Sequence, residues 1–481
     1  MILAIIIIIL LAVSLIVLFS RSRKTMNYVT VLHSLSIILI YSYLLLRFNL
    51  PISVLKNNYL MLDAFSIYEI LIAGIIFLLA AIYAEGYIKS LIHEKEFNKT
   101  NIKLFYLSYN FLLFSMVLVF SSNNLALLWI FAEITTILSA TLIVTLNAKE
   151  NIVAAMKYVF ITSTAMLFSF IGLIFLFAAS KSVNGVSTLN WDVLFSISQQ
   201  ISPQLLFFSF IFMFIGFAAK SGIVPFHTWL PPSHSKAASD VSALLSGVVL
   251  NIGIYAIIRM YVLIAPTSMG PAASIILMIF GILTVAVASL SMLVRTNLKK
   301  LIAYSSVENM GFMLIGIALG NMFWVLYYIL AHALVKALLF FSAGIIHRQS
   351  GSMKAGNIKD ILKLQPLACF GLIIGSIAII GTPLFPIFFP KFYILTSLAQ
   401  SSLLLCLLVL FFLFVAAGSF IWLIINLTTF QGKEKIEKYR IYLSMKIPII
   451  ILIVILFILG VYFPQGLQNL LKIITLKLTG N

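Results

Sequence analysis

Apolar runs of about 20 residues, long enough to cross a bilayer as a helix, follow one another along almost the whole of this chain. Backbone inside hydrocarbon must satisfy its own N–H and C=O groups, which leaves α-helices and closed barrels as the only spanning structures. Barrel strands are about ten residues of alternating character, and these runs are neither so short nor alternating. The sequence therefore predicts an all-α polytopic membrane protein, with residues 1–481 forming a single membrane domain. About fourteen runs are found, near 2–20, 27–46, 64–84, 104–121, 124–145, 152–179, 203–222, 239–263, 272–294, 299–319, 323–346, 366–395, 401–428 and 447–464. A content of 62% hydrophobic and 9% charged residues excludes a soluble domain of this size.

The run from Met1 to Ser20 lacks a basic start and a small-residue cleavage site, and Arg21, Arg23 and Lys24 follow it. It reads as a retained transmembrane helix rather than a signal peptide. Basic residues then mark alternate loops: Lys89 to Lys103, Lys149, Lys236, Arg295 to Lys300, Arg348 to Lys363, and Lys433 to Lys446. With the first cluster these hold 21 of the 31 Lys and Arg residues, against Arg47, Lys56, Lys181, Lys472 and Lys477 on the other set. The positive-inside rule puts the basic loops in the cytoplasm and both termini outside a cell (inner) membrane. The net charge of +18 is thus a topology signal, and the lipid bilayer rather than nucleic acid is the expected partner. Cys369 and Cys406 offer neither a disulfide framework nor metal-ligand spacing. No iron–sulfur cluster motif, Gly-rich phosphate loop or nucleotide fingerprint is present, so no metal, cofactor or redox site is expected in this chain.

Against this apolar background stand Glu133, Lys157, Lys220, His332, Lys336 and Lys391, each inside or at the edge of a long apolar run. A charge at bilayer depth costs from about 3 to more than about 10 kcal/mol, so such groups face a protein interior or a wet cavity. Spread over several helices, they read as an ion path. Two of the runs are interrupted. Lys220 precedes Gly222 and Pro225, and Pro383, Pro386 and Pro390 precede Lys391. Proline removes a backbone donor and crowds the preceding turn; freed carbonyls and water near Lys220 could then accommodate a proton-bearing amine. Two broken helices in corresponding positions point to inverted repeats with sites near the midplane, here about 104–263 and 272–428 with the breaks in helices 7 and 12. His227 and His234, between the seventh and eighth runs, are candidates for proton uptake. Blander readings fit other residues. Arg259 suits a snorkelling anchor, Glu69 has a weak claim, and Glu308 reads as a local hydrogen-bonding or capping group. His347 reads as interfacial, and Ser139, Gly222 and Gly247 as close-packing positions.

Several long motifs in one order carry a family resemblance. They are Trp129-Ile-Phe-Ala-Glu133-Ile-Thr-Thr-Ile-Leu-Ser139, Ala155-Met-Lys157-Tyr158, the stretch from Lys220 to Gly247, Leu298-Lys-Lys-Leu-Ile-Ala-Tyr-Ser-Ser306 and His332-Ala-Leu-Val-Lys336-Ala. Over roughly residues 60–465 the chain resembles the antiporter-like subunits of respiratory complex I, of group 4 membrane-bound hydrogenases (formate-hydrogenlyase/hydrogenase-4 type) and of Mrp cation/proton antiporters. Tyr304-Ser-Ser-Val-Glu308-Asn-Met-Gly311 looks most like the hydrogenase branch, and the end at Asn481 resembles the shorter members. The resemblance implies that Glu133 is the ion-pair partner controlling Lys220 and that Lys391 stands near the exit. His332 and Lys336, four apart and on one helical face, would bridge the two half-channels. It also implies other membrane subunits as partners, peripheral redox subunits indirectly, and protons or Na⁺ as the ions moved.

The chain departs from the family at two places. Asn251 stands in the eighth helix where many members have lysine, and Pro386-Ile387 where a small Ser-Gly pair is usual. Asparagine orients water but holds no proton, so conduction would rest on ordered water, His332 and Lys336, with His332 expected to point toward Asn251. Three functions follow as expectations: an ion-translocating subunit of a redox-driven complex, a subunit of a stand-alone Mrp-type Na⁺/H⁺ antiporter, or a non-pumping membrane scaffold.

Overall fold

Each apolar run satisfies its backbone internally, so helix follows helix with short connections. A computed structural model describes residues 2–54, 56–97, 99–146, 148–185, 187–429 and 437–479; Lys433 and Lys435 of the last basic loop lie outside them. The helices are α1 (Ile2–Phe19), α2 (Arg23–Arg47), α3 (Ala64–His93), α4 (Lys99–Ser121), α5 (Leu125–Val144), α6 (Lys149–Asn184), α7 (Trp191–Ile197) and α8 (Pro203–Lys220). Next come α9 (Leu230–Lys236), α10 (Ser239–Leu244), a π turn over Leu245–Val249, and α11 (Leu250–Ile264). The second half holds α12 (Gly270–Leu293), α13 (Leu298–Ala318), α14 (Met322–Ser350), α15 (Ile361–Leu364), α16 (Pro366–Ile380), α17 (Phe388–Ser401), α18 (Leu403–Thr429), α19 (Leu443–Val461) and α20 (Gln465–Thr479). A two-residue antiparallel ribbon, Ile52–Ser53 with Met61–Leu62, joins α2 to α3.

Among the described residues, 12 helices are long and apolar enough to cross a membrane, and two shorter apolar ones, Ile5–Phe19 and Pro366–Ile380, complete the fourteen runs expected. Alternate loops meet at opposite ends of the bundle. At one end Leu60 bridges to Ser122 and Asn124 to Asn190; at the other, Asn297 bridges to Lys354, and Arg348 pairs with Glu94 and Glu96. The second end is the basic one. The centre is built from α3, α10–α11, α13 and α14, which are buried nearly all round, whereas α18 presents Leu404, Phe411 and Phe414 outward. An all-round apolar helix belongs in such a centre.

Four helices, α7, α9, α15 and α20, escaped the hydropathy reading. Short α7 sits at the end opposite the basic loops, and α20 is amphipathic, burying Leu471, Ile474 and Leu478 while Lys472 and Lys477 face out. A three-to-four-residue apolar stripe has too low a mean hydropathy to register as a span and marks a helix lying along a surface.

Both broken helices end in the same way. At α8, Gly222 adopts φ 70°, with its N–H on the Ala219 carbonyl and the Ile223 N–H on Ala218. At α16, Gly381 adopts φ 92°, with its N–H on Ala378 and the Thr382 N–H on Ile377. These are glycine-terminated caps that need a left-handed residue, so glycine as much as proline fixes where each helix stops. Gly460 of α19 lets its backbone rest on the Leu384 carbonyl, seating the second break.

Candidate functional site

Lys220, at the last position of α8, is fully buried and reaches sideways to α5. Its Nζ donates to the Ala132 carbonyl at 2.9 Å and to the Thr136 hydroxyl at 2.6 Å. These acceptors flank Glu133 on the same turn of α5. Glu133 itself accepts from the Ser163 hydroxyl at 2.8 Å, and its Oε1 has no hydrogen-bond partner. Among the described residues Glu133 and Lys220 form no ion pair within 4.0 Å. Lys220 is thus parked on uncharged oxygens that flank Glu133, the partner the resemblance implies for it. The freed carbonyls expected to hold Lys220 are taken up by its own helix cap, and Ala219 also accepts from the Trp229 indole at 2.9 Å.

The second half differs. Lys391, at the start of α17, donates to Glu308 of α13 at 3.1 Å and to the Ile379 and Ile380 carbonyls at 3.1 and 3.4 Å. Those two carbonyls lie just before the α16 break, and Gly381 leaves room for the lysine stem. Glu308 is thus not a local capping group. It is the counter-ion of Lys391 in a pair whose side chains are 3% and 7% exposed. Glu308 also accepts from the Asn309 amide, whose oxygen takes the Tyr328 hydroxyl at 2.5 Å. Its sequence signal was its place in an apolar α13 beside two further polar residues, for which local capping was a sufficient account.

Between these lysines, Lys336 of α14 is fully buried and donates to the Ile302 carbonyl at 2.8 Å and to the Ser305 hydroxyl. His332 is one turn away and fully buried, with both ring nitrogens unpartnered. Asn251 on α11 is equally buried, and neither its amide oxygen nor its nitrogen has a partner. Glu69 of α3 faces it. The Ser246 and Ser306 hydroxyls, 2.7 Å apart, link the π turn to α13. Buried polar groups are nearly always satisfied by protein or by water, and His332 and Asn251 offer an internal water polar partners at this depth.

At the basic end, His234 of α9 is buried with both nitrogens free and its ring stacked on Phe340. Burial, then the charges of Lys336 and Lys299, push it down to about 3. Lys299 donates to the Ala237 carbonyl at 2.8 Å, and Asp240 keeps one oxygen unpartnered. Sequence reading passed over Lys299 and Asp240 because each looked like an ordinary loop or helix-end charge. His227 sits nearby against Tyr304, its Nδ1 free. Lys157 does not join the interior series, because its side chain is exposed on the outer face of α6. Arg259 is not a snorkelling anchor. It is buried and pairs with Asp63 at 2.6 Å. Burial pushes the Asp63 carboxyl up, but Arg259 and the Ser66 N–H and hydroxyl outweigh it and hold it below the usual carboxylate value.

Known proteins share this fold. The transmembrane family of NADH:quinone oxidoreductase and Mrp antiporter subunits matches residues 122–416. The chain is 28% identical to a hydrogenase-4 component F homolog of Methylacidiphilum infernorum, across 85% of this chain and 86% of that one. It is 27% identical to a subunit of the Na⁺/H⁺ antiporter of Alkalihalophilus pseudofirmus, across 74% and 72%. In fold it is similar to a chain of the membrane-bound sulfane sulfur reductase, an archaeal respiratory membrane complex, with a TM-score of 0.86, 24% identity, and 99% and 96% coverage. The chain belongs to the NADH:quinone oxidoreductase/Mrp antiporter transmembrane family, as one of its antiporter-like membrane subunits.

Proposed function

We propose that this chain moves protons through a redox-driven membrane complex of the membrane-bound hydrogenase type, which supplies the driving force this subunit lacks. The observation that carries the reading is the interior series of buried ionisable groups, Lys220, His332, Lys336 and the Lys391–Glu308 pair, interspersed with orphaned polar atoms. Protons enter at the basic end by His234 and His227, pass Lys220 under control of Glu133, cross at Asn251, His332 and Lys336, and leave by Lys391. The two halves act as inverted repeats, a reading supported by the matching glycine caps and by a lysine at each break facing a glutamate-bearing helix. Lys157, exposed on α6, acts at the edge of this series, toward a neighbouring membrane subunit. The hydrogenase-4 relative, matched over most of its length, favours this branch. The complex purified with its partners should acidify liposomes on electron input, while the chain alone should not exchange Na⁺ for H⁺. Such exchange by the chain alone would favour the self-sufficient antiporter suggested by the Na⁺/H⁺ antiporter relative.

Both termini lie outside the cytoplasmic membrane in this reading, since the basic loops share one end. Cysteines placed at Lys95 and Lys359 should both be labelled from the cytoplasmic side only. Labelling of the two from opposite sides would refute the topology.

A further inference from the structure

The lysine that Asn251 replaces leaves a gap in the series, and the structure sets a carboxyl opposite it. At the start of α3 its capping residue Asp63 is followed at intervals of three by Ser66 and Glu69; on α11, Asn251, Tyr255 and Arg259 recur every four. Each set therefore occupies one helical face. The two faces meet rung by rung. Arg259 pairs with Asp63 at 2.6 Å and reaches Ser66 at 3.3 Å, and the Ser66 and Tyr255 hydroxyls are 3.2 Å apart. The next rung inward is Glu69 facing Asn251, both fully buried. They face each other without closing a hydrogen bond of proper geometry, so both carboxyl oxygens and both amide atoms stay unsatisfied. The neighbouring turn packs directly on the bridge, since Gly247 lies against Ile76 of α3 and the Ala333 carbonyl, one residue from His332.

We propose that Glu69 is the proton-carrying group of the central bridge, doing from the third helix what lysine does from the eighth in other members. This rests on the proposed function. A carboxyl can take a proton arriving from the Lys220 side and give it up toward His332 and Lys336, whereas the Asn251 amide only orients the water and the acid between them. No cation pairs with Glu69 among the described residues, so its proton is not displaced by a fixed counter-ion. The Arg259–Asp63 pair locks the register of the two faces. It also sets a permanent guanidinium two turns toward the far end, which opposes leakage of the proton that way.

The test is electron-driven acidification of liposomes holding the complete complex, with Lys220→Met as the reference. Glu69→Gln keeps shape and hydrogen bonding but carries no proton; it should cut translocation about 100-fold, the scale of one lost proton-transfer group, while Glu69→Asp retains it. Asn251→Lys added to Glu69→Gln should restore translocation, which a merely structural role for Glu69 would not allow. If Lys220→Met stops translocation and Glu69→Gln does not, the inference on Glu69 is overturned while the ion path stands. If Lys220→Met also translocates normally, the path itself fails. Should Glu69→Gln not assemble, the double variant decides: assembled and inactive, it overturns the proposal.

Discussion

Replacing Glu308 with alanine is expected to lower the stability of the purified chain by about 3–5 kcal/mol, the cost of leaving one member of a buried ion pair unpaired. Lys391, 7% exposed in the wild type, would keep the Ile379 and Ile380 carbonyls and the face of the Phe312 ring but no counter-charge. The paired change Glu308→Leu with Lys391→Met should recover most of that loss, because apolar groups of similar volume do not need the charge compensation. Thermal unfolding in detergent reads both. A Glu308→Ala variant melting with the wild type would mean that the pair is not closed in the working protein. The double variant separates stability from function, since it should melt normally and yet translocate nothing if Lys391 is the exit group.

The second large effect is expected at Lys220. Methionine there keeps the unbranched stem and removes the amine from the Ala132 carbonyl and Thr136 hydroxyl. Loss of a positioned proton-transfer group should slow electron-driven translocation about 100-fold or more, with assembly of the complex unchanged. Glu133→Gln should act through the lysine. The amine rests on α5 oxygens on either side of Glu133, and neutralising that carboxylate removes the charge that favours the protonated amine. The carboxylate variant should therefore shift the pH dependence of translocation, while the methionine variant flattens it at a low level. Unchanged rates in Lys220→Met would remove Lys220 from the path.

Hydropathy alone was enough to find the long apolar helices, because a helix in hydrocarbon must be apolar for about 20 residues whatever its neighbours. The two breaks were equally legible, since Gly222, Pro225, Gly381 and Pro383 act through their own backbone. Intramembrane charge singled out Lys220, Lys336 and Lys391, because that cost is local to each residue. Amphipathic α20 lay below any hydropathy threshold, its apolar stripe being visible only once a surface is there to receive it. Pairing was the part the chain could not reveal on its own. Helical spacing says that Asp63, Ser66 and Glu69 share a face, and that Asn251, Tyr255 and Arg259 share another, but not that the faces meet. The same limit hid Glu308, which looked like a local group until α13 and α17 were brought together around Lys391. It likewise left open that Lys157 faces outward. Periodicity fixes directions about one helix axis; which neighbour lies in each direction is decided by how the helices pack, and that depends on the whole chain at once.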